Sequence, residues 1–462
     1  MLTKNNNRLA DINLGSVVYL QSKENRMTNA TVILDNKKIT TLQFTTILIC
    51  FLMNMLDGMD VMVISYAAPA IAKEWAITPQ ALGSVFSAAL VGMTVGALFL
   101  APRADIIGRR TLILISALLM GTTVFSTFLA QSVNQLLFFR FISGLGIGSM
   151  LANTATLTSE YAPKKTKDFW VSFVMSGYPV GAVLSGLASA QIIPAFGWRA
   201  MFQTAGAVTL VTVPLIFFFL AESLDFLLKT QPKGALDKAN AILSKMNQVV
   251  LTELPPLSIN TDSITTEKVS VSSLLTPERK SSTIQLWIAL FMAFATLYFL
   301  TTWIPKLASN TGLSMELAIY AGTVFNMGAF VGIMTQGYLS SLFGLRRTIF
   351  GFLSATALLM ALFGFFKGSV LVLILFGLLG FGVQGGFVGM YAVAARLYPT
   401  QIRTTGVGFA MGAGRVGGIA GPIIGGLLIG AGLTMTSSFI IFAIPTILAG
   451  LATLFIKSNE IR

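Results

Sequence analysis

The chain of 462 residues contains no histidine and one cysteine, Cys50. A single cysteine excludes an intrachain disulfide, and the absence of histidine removes the commonest metal ligand and the side chain that titrates near neutral pH. No nucleophile–base–acid set is visible, so we expect no enzyme, no metal site and no cofactor. If this chain moves protons, carboxylates must carry them.

Charge is also scarce: charged residues make up 11% of the chain against 54% hydrophobic residues, with a mean hydropathy of +0.78. An apolar run of about 20 residues can cross the roughly 30 Å of hydrocarbon in a bilayer. We find twelve such runs, centred near Asn54, Val91, Ala117, Gly146, Val180, Val211, Ala293, Met327, Ala357, Leu379, Arg415 and Pro445. Residues 1–39 are polar and lack the apolar core of a secretory signal, and Met27 is an alternative start. The sequence predicts an all-α membrane protein.

The net charge of +13 is unevenly distributed. Ten basic residues fall in the short loops that follow even-numbered apolar runs, which all lie on one side of the membrane: Arg103, Arg109, Arg110, Lys164, Lys165, Lys167, Arg346, Arg347, Arg396 and Arg403. Four fall in the other loops: Lys73, Arg199, Lys306 and Lys367. Because basic loops stay in the cytoplasm, both termini are expected there. The positive charge thus points to membrane lipids, and not to nucleic acid, as its partner.

The second half of the chain repeats landmarks of the first at a constant offset of 236 residues. Pro69 matches Pro305, and Gly108 matches Gly344. The offset persists over more than 110 residues, which predicts two six-helix halves in the same orientation. The expected units are a cytoplasmic tail (1–40), a six-helix bundle (41–221), a cytoplasmic linker (222–282), a second bundle (283–456) and a cytoplasmic tail (457–462). Parallel repeats of this kind bind substrate at the interface between the halves, near the bilayer midplane.

The loop after the second run, Ala101-Pro-Arg-Ala-Asp105-Ile-Ile-Gly108-Arg109-Arg110, is similar to the G-x-x-x-D-R-x-G-R-R motif of the major facilitator superfamily. Ala101 and Ile106 depart from that motif, and the repeat copy, 337–347, lacks the acid. The resemblance implies the major facilitator fold, with twelve transmembrane helices in two parallel six-helix pseudo-repeats. It also implies conformational-switch loops formed by Asp105, Gly108, Arg109, Arg110, Gly344 and Arg346. The acid at Asp105 is expected to face the positive N-terminus of a helix.

Narrower features resemble one branch of that superfamily, the aromatic acid:proton symporters. They are Asp57-Gly58-Met59-Asp60 followed by Pro69, and Tyr398-Pro399-Thr-Gln-Ile-Arg403-Thr-Thr-Gly406 with Gly414-Arg415. Ser159-Glu160-Tyr161 and Ala221-Glu222-Ser223 are shared more widely among sugar and organic-acid carriers. The branch resemblance implies import of a small aromatic carboxylate, such as a benzoate or hydroxybenzoate, together with protons. It also implies a monomer in the cell membrane, which we expect to be a bacterial inner membrane.

Asp57 and Asp60 lie inside the first apolar run, where a carboxylate costs about 2.5–3.5 kcal/mol on insertion scales. They are three residues apart, so they fall on nearly the same helix face. Because two close carboxylates cannot easily both ionise, one of them should exchange a proton near neutral pH. The alternative is a carboxylate permanently hydrogen-bonded to a neighbouring helix. Arg140 resembles the superfamily's helix 4 arginine that is linked to proton coupling. The alternative is that this side chain extends outward to the lipid headgroups.

Arg415, in a glycine-rich apolar run, needs a compensating negative charge. Asp57 or Asp60 could supply it permanently, or a substrate carboxylate could supply it during transport. Candidate residues to line an aromatic-acid site are Tyr298, Trp303, Asn326 and Gln384, with ordinary packing as the alternative.

Rival functions remain open from the sequence: a proton-coupled exporter of drugs or metabolites, a sugar or other organic-acid porter, and a nontransporting receptor. The antiporter-like run Gly421-Pro422-Ile-Ile-Gly425-Gly426 occurs in the eleventh run and not in the fifth, which argues against the exporter. A fixed positive charge at Arg415 suits an anion better than a sugar. Membrane-embedded carboxylates argue against a receptor.

Overall fold

A computed structural model describes residues 39–163, 166–248, 250–255, 274–366, 368–399 and 402–457. The alternative start Met27, both basic residues Lys164 and Lys165, Lys367, residues 249 and 256–273 of the predicted linker and the last five residues lie outside the described residues. All regular secondary structure within the described ranges is helical.

The helices are α1 (Thr41–Trp75), α2 (Pro79–Val95), α3 (Arg109–Ser126), α4 (Val133–Tyr161), α5 (Lys167–Met175), α6 (Gly177–Phe219), α7 (Leu224–Thr230), α8 (Ala235–Lys245), α9 (Lys280–Asn310), α10 (Met315–Phe343), α11 (Leu345–Leu362), α12 (Ser369–Leu397), α13 (Arg403–Gly430) and α14 (Met435–Phe455). Helix α2 continues through short π and 3-10 turns and a single α-helical turn that ends at Ile107. The first helix opens with a capping box, in which Thr40 and Gln43 bond each other's backbone N–H groups.

Eleven of the helical stretches among the described residues are long and apolar enough to cross a membrane. One of them, Phe169–Phe219, contains 51 residues, or about 75 Å of helix, which is more than twice the hydrocarbon thickness. It is interrupted at Gly197, whose φ of 82° and ψ of 167° are not helical. Glycine tolerates this backbone conformation, so the stretch comprises two crossings that meet at Gly197. The prediction of twelve crossings is thereby confirmed.

The repeat is visible in the packing of glycines against carbonyl groups. A Cβ on Gly92 would lie 2.1 Å from the carbonyl oxygen of Phe141, and one on Gly328 would lie 1.8 Å from that of Gly377. Both residues of each contact are offset by 236, and three more contacts repeat in the same way. They are Gly96 on Leu145 with Gly332 on Phe381, Gly144 on Ala89 with Gly380 on Phe325, and Gly181 on Met55 with Gly417 on Phe291. Small residues let membrane helices approach closely, so the same glycines build both halves.

The two halves meet at one end of the molecule, which we call the sealed end; it is the end that holds the connection between Trp75 and Pro79. Ser65 donates its hydroxyl to the carbonyl oxygens of Thr301 (3.0 Å) and Thr302 (2.8 Å). Ser65 and Thr301 are equivalent residues of the repeat, so the pseudo-two-fold axis passes between them.

Helices α2 and α13 close the same end. Ser87 donates to the carbonyl oxygen of Ile419 at 2.7 Å, and Gly83 packs on the backbone of Pro422. Toward the opposite end of α13, a Cβ on Gly408 or Gly412 would meet nothing within 4 Å. Every hydrogen bond and ring contact between the halves, within the described part of the chain, lies in the half of the molecule next to the sealed end. A site between the halves is therefore closed off on that side.

Candidate functional site

Arg140 and Asp60 form a buried ion pair between α4 and α1. One guanidinium nitrogen, Nη1, lies 2.6 Å from Oδ1 of Asp60, and Nη2 donates to the backbone carbonyl of Asp60 at 3.2 Å. The two side chains are 1% and 2% exposed. Arg140 therefore does not reach outward to the headgroups, and its charge is compensated inside the N-terminal half.

Asp57 differs sharply from Asp60, although it lies only one helical turn away. It is 1% exposed, and neither of its carboxylate oxygens has a hydrogen-bond partner among the described residues. The charges that act on it electrostatically are those of Asp60 and Arg415. The two aspartates therefore do not form an equivalent pair, because one is neutralised by direct contact and the other is not.

Arg415 projects from α13 in the C-terminal half and is partly buried. It forms no ion pair with any residue that the structure describes, although its charge acts on Asp57, Tyr298 and Tyr391. Of the two partners that the sequence leaves open, a direct bond to an aspartate is absent from this conformation. An arginine and a carboxylate thus lie near each other in the membrane interior, each without a bonded partner.

Four rings of α9 and α12 form one connected group that includes the two tyrosines on which this arginine's charge acts, and we call them the aromatic wall: Phe294, Tyr298, Phe387 and Tyr391. Phe294 stacks on Tyr298 with centroids 6.0 Å apart, and packs edge-on against Phe387 at 4.6 Å. Phe387 in turn meets Tyr391 edge-on at 5.3 Å. Of these four residues, the sequence predicts Tyr298 as a binding residue. The four-residue spacing of each aromatic pair was the available signal, since such residues share a helix face.

Two glycines of α13 let the aromatic wall approach the backbone on either side of Arg415. A Cβ on Gly414 would lie 2.5 Å from the ring of Phe294, and one on Gly418 would lie 3.0 Å from the ring of Tyr298. Flat apolar surface is thereby held against the backbone on either side of Arg415. This combination suits a ligand that joins an aromatic ring to an anionic group.

The N-terminal half adds Tyr178 at the start of α6. Its phenol interacts electrostatically with Tyr298 and Asp57. Within the described residues, the hydroxyls of Tyr178, Tyr298 and Tyr391 have no hydrogen-bond partner. Sequence analysis did not identify Tyr178, because its neighbourhood depends on how the two halves meet.

The remaining predicted binding residues divide into two groups. Trp303 donates its indole N–H to the carbonyl of Pro422 at 3.0 Å, and Asn326 donates to Gly322 at 2.8 Å and bonds Tyr66. Both therefore use their polar groups within the protein, close to the sealed end. Gln384 is partly buried and makes no hydrogen bond to a described residue, and it lies three residues from Phe387 on the same face of α12. A role in substrate binding remains a prediction for all three.

The predicted switch loop lies at the end of the N-terminal half away from the sealed end. Gly108 has a φ of 95°, and a Cβ there would lie 2.4 Å from the Glu222 carboxylate. Arg109 pairs with Glu160 at 3.0 Å and with Asp105 at 3.6 Å. Arg110 donates its backbone N–H to Glu222 at 3.0 Å and its guanidinium to the carbonyl of Phe217.

Asp105 does not bond the free N–H groups at the start of α3. Its side chain is 76% exposed, and Glu222 accepts the N–H group of Arg110 there. Glu222 follows α6, the last span of this half, and α6 ends beside the switch loop. Asp105 lies on the helical turn before α3 and faces solvent. Glu160 bonds Ser223 at 2.5 Å, which joins the ends of three spans in one network. The motifs around Glu160 and Glu222 are visible in the sequence, but the role of these two acids is visible only in the structure.

The second switch loop, around Gly344, has the same glycine conformation as the first and lacks its acidic residues. Gly344 has a φ of 84°, and Arg346 donates to the carbonyl oxygens of Leu454 (3.3 Å) and Ile456 at the end of α14. Arg110 makes the equivalent contact with Phe217 at the end of α6. Each arginine therefore binds the carbonyl groups that end the last span of its own half.

A family model described as Major Facilitator Superfamily matches residues 50–336 and again residues 286–461. The chain belongs to this superfamily. It is 32% identical to the 4-hydroxybenzoate transporter PcaK of Acinetobacter baylyi over 93% of this chain and 94% of that protein. It is 30% identical to the benzoate transport protein of the same organism, over 94% of each chain. Its gallate-transporter relative in Pseudomonas putida is 29% identical over 91% of this chain and 93% of the relative.

Among solved structures, this superfamily member is similar to the xylose transporter XylE from E. coli in a partially occluded inward open conformation. The TM-score is 0.69 at 18% identity, over 89% of this chain and 97% of XylE. That likeness confirms the major facilitator fold. The chain is therefore a multi-pass membrane transport protein and not an enzyme.

Proposed function

We propose that this superfamily member imports a small aromatic carboxylate together with protons, by alternating access, across a bacterial inner membrane. The observation that carries the proposal is the unpaired guanidinium of Arg415, held beside the aromatic wall and near the unpaired carboxylate of Asp57. The names of the relatives, which include transporters of 4-hydroxybenzoate, benzoate and gallate, support the same substrate class. The protein acts as a monomer with both termini in the cytoplasm, and the basic loops support that orientation.

Arg415 binds the substrate carboxylate with its planar fork of N–H donors, which fits a carboxylate better than an ammonium does. The substrate ring packs against the aromatic wall, whose Tyr298 and Tyr391 hydroxyls, with Tyr178 and Gln384, are available to ring substituents. An uncharged sugar would offer the Arg415 guanidinium no charge-assisted contact, which weighs against a sugar porter.

Charge balance couples the proton to the substrate. In the empty site two arginines, Arg140 and Arg415, balance two aspartates, Asp57 and Asp60. A bound carboxylate adds one negative charge close to Asp57, and like charges in a site of low dielectric constant oppose each other. One proton on Asp57 restores neutrality, whereas Asp60 is held by Arg140. The occupied site therefore changes from outward-facing to inward-facing with one proton bound for each substrate.

Uptake into proteoliposomes tests this proposal. Radiolabelled benzoate and 4-hydroxybenzoate should accumulate above the level in protein-free liposomes when the outside pH is lowered, and a protonophore should collapse this excess. Unlabelled benzoate should compete, whereas benzamide, which has the same ring without the charge, should not. Accumulation that survives the protonophore would contradict proton coupling, and equal competition by benzamide would contradict carboxylate recognition.

A further inference from the structure

A row of buried polar residues follows α1 from the midpoint of the helix toward its first turn and faces α4. Gln43 donates to the carbonyl of Tyr161 at 2.8 Å, Cys50 bonds the side chain of Thr158, and Asn54 donates to Thr154 at 3.1 Å. Polar contacts between membrane helices hold the helices together. In this row Asn54 alone leaves a buried oxygen without a partner among the described residues.

The orientation of the Asn54 amide is fixed by its surroundings. Its Nδ2 donates to the carbonyl oxygen of Cys50 at 3.1 Å as well as to Thr154, and a carbonyl can only accept. A flipped amide would place two acceptors against each other, so Oδ1 cannot exchange places with Nδ2. The Thr154 hydroxyl already donates to Leu151, so it cannot serve Oδ1. Asn54 is 1% exposed, and an unmade hydrogen bond there is costly.

The unpaired oxygen of Asn54 and the two unpaired oxygens of Asp57 lie one helical turn apart on α1. Residues three apart on a helix are neighbours, and Asp and Asn side chains in such pairs form hydrogen bonds. All three oxygens are acceptors, so a proton on Asp57 supplies the one donor that they lack. A protonated Asp57 carboxyl could donate its O–H to Oδ1 of Asn54, and that bond would be lost when the proton leaves.

We propose that Asn54 is the hydrogen-bond acceptor for the protonated form of Asp57, and so sets the pH at which that residue binds its proton. This inference rests on the proposed function, which makes Asp57 the proton carrier. The charged and titratable groups that interact with Asp57 are Asp60 of α1, which is paired with Arg140 of α4, Tyr178 of α6, Tyr298 of α9 and Arg415 of α13. Arg415 favours the ionised carboxylate, and Asn54 opposes it by favouring the neutral form. Asn54 is thus a positioning residue that acts through Asp57.

Infrared titration of the purified full-length protein tests this directly. The carbonyl stretch of protonated Asp57 is identified by its loss in Asp57→Asn. In Asn54→Leu, we expect the pH of half-protonation to fall by about one unit, because one hydrogen bond to the neutral form is lost. Asn54→Ala, which lacks the oxygen in a smaller side chain, should show the same shift. Thr154→Val is the matched control, because it removes the Nδ2 contact and keeps Oδ1, and it should not move the titration.

Equal shifts in Asn54→Leu and Thr154→Val, no shift in either Asn54 variant, or no Asp57 band at any pH would overturn the assignment. The infrared result stands whether or not the protein is driven by protons, so it separates failure of this inference from failure of the proposed function. Where wild-type uptake is proton-driven, its pH profile should move toward acid by the same unit in Asn54→Leu and remain in place in Thr154→Val.

Discussion

The N-terminal and C-terminal halves share a backbone and differ in their chemistry. The residues 236 positions after Asp57, Asp60 and Arg140 are Ala293, Thr296 and Phe376. Ala293 and Phe376 are buried and apolar, while Thr296 accepts a hydrogen bond from Thr446. Conversely, the residue 236 positions before Arg415 is Pro179.

The contrast shows which part of this molecule the repeat explains. Glycine contacts such as Gly92 on Phe141 and Gly328 on Gly377 recur because close helix packing is needed in both halves. Charges do not recur, because each buried charge must be compensated at its own location. The N-terminal half compensates its arginine internally, at Asp60, whereas the C-terminal half presents Arg415 unpaired toward the other half. Under the proposed function, one half binds the proton and the other binds the anion.

The largest expected effect follows from removing the proton carrier. Asp57→Asn should abolish proton-driven accumulation, because the amide cannot exchange a proton, and it should leave folding intact, because no described residue bonds that carboxylate. Substrate counterflow, which needs no net proton movement, should persist. Wild-type accumulation by well-expressed Asp57→Asn would show that the proton-binding role is not in this residue.

The next effect concerns stability and separates the two aspartates. The sequence predicts that Asp57→Asn and Asp60→Asn are equally well tolerated, since both are isosteric. The structure predicts that Asp60→Asn destabilises the protein by about 3–5 kcal/mol, because the buried Arg140 then lacks a counter-charge.

The C-terminal half supplies the matched rescue for this change. Asp60→Thr combined with Arg140→Phe installs the residues found at the equivalent positions, and should recover most of the lost stability without recovering transport. Thermal unfolding of the purified variants measures both effects. If Asp60→Asn unfolds at the wild-type temperature, the ion pair does not contribute as its geometry indicates.

Arg415 should show the opposite behaviour, with a loss of binding and little loss of stability. Arg415→Gln removes a charge that no described residue bonds directly, so the protein should remain folded. Binding of labelled benzoate should weaken about 100-fold, as expected for a lost charge-assisted bidentate contact of about 3 kcal/mol. Arg415→Lys keeps the charge without the fork, so its effect should be intermediate. Wild-type affinity in folded Arg415→Gln would exclude carboxylate binding at this residue.

Much of the fold could be predicted from the sequence, and less of the site. The lengths of the apolar runs and the charges of the loops predict the spans and their orientation, because both are set by the bilayer. The constant offset of 236 residues predicts the repeat, because it can be read directly from the sequence. Spacing on α1 shows that Asp57 and Asp60 share a face. Residues three apart are nevertheless about 300° apart around the helix axis, so the two side chains point in directions that differ by about 60°. That rotation brings Asp60 against Arg140, which is 80 residues distant in sequence, while Asp57 remains unpaired.

The aromatic wall and the roles of Glu160 and Glu222 likewise depend on tertiary packing, so they could not be predicted from the sequence. Phe294 and Phe387 belong to different helices, and their meeting depends on how α9 and α12 pack. Glu222 is placed against Gly108 by the end of the sixth span. Neither arrangement is encoded in spacing along one helix.

The smallest expected effect tests the sealed end, where the two halves are equivalent partners. Ser65 and Ser87 each donate one hydroxyl to carbonyl oxygens of the other half. Each such bond contributes about 1 kcal/mol, so Ser65→Ala or Ser87→Ala should shift the equilibrium between closed and open forms of this end about fivefold toward the open form.

Ser84→Ala is the matched control on the same helix as Ser87, because the Ser84 hydroxyl bonds the backbone carbonyl of Gln80 within its own helix. Labelling of Thr301→Cys by a membrane-impermeant maleimide measures opening, since Thr301 is 4% exposed between the closed halves and the native Cys50 is fully buried. Faster labelling in Ser65→Ala and Ser87→Ala, with Ser84→Ala unchanged, is the expected outcome. An equal increase in all three variants would mean that these hydroxyls do not hold the halves together.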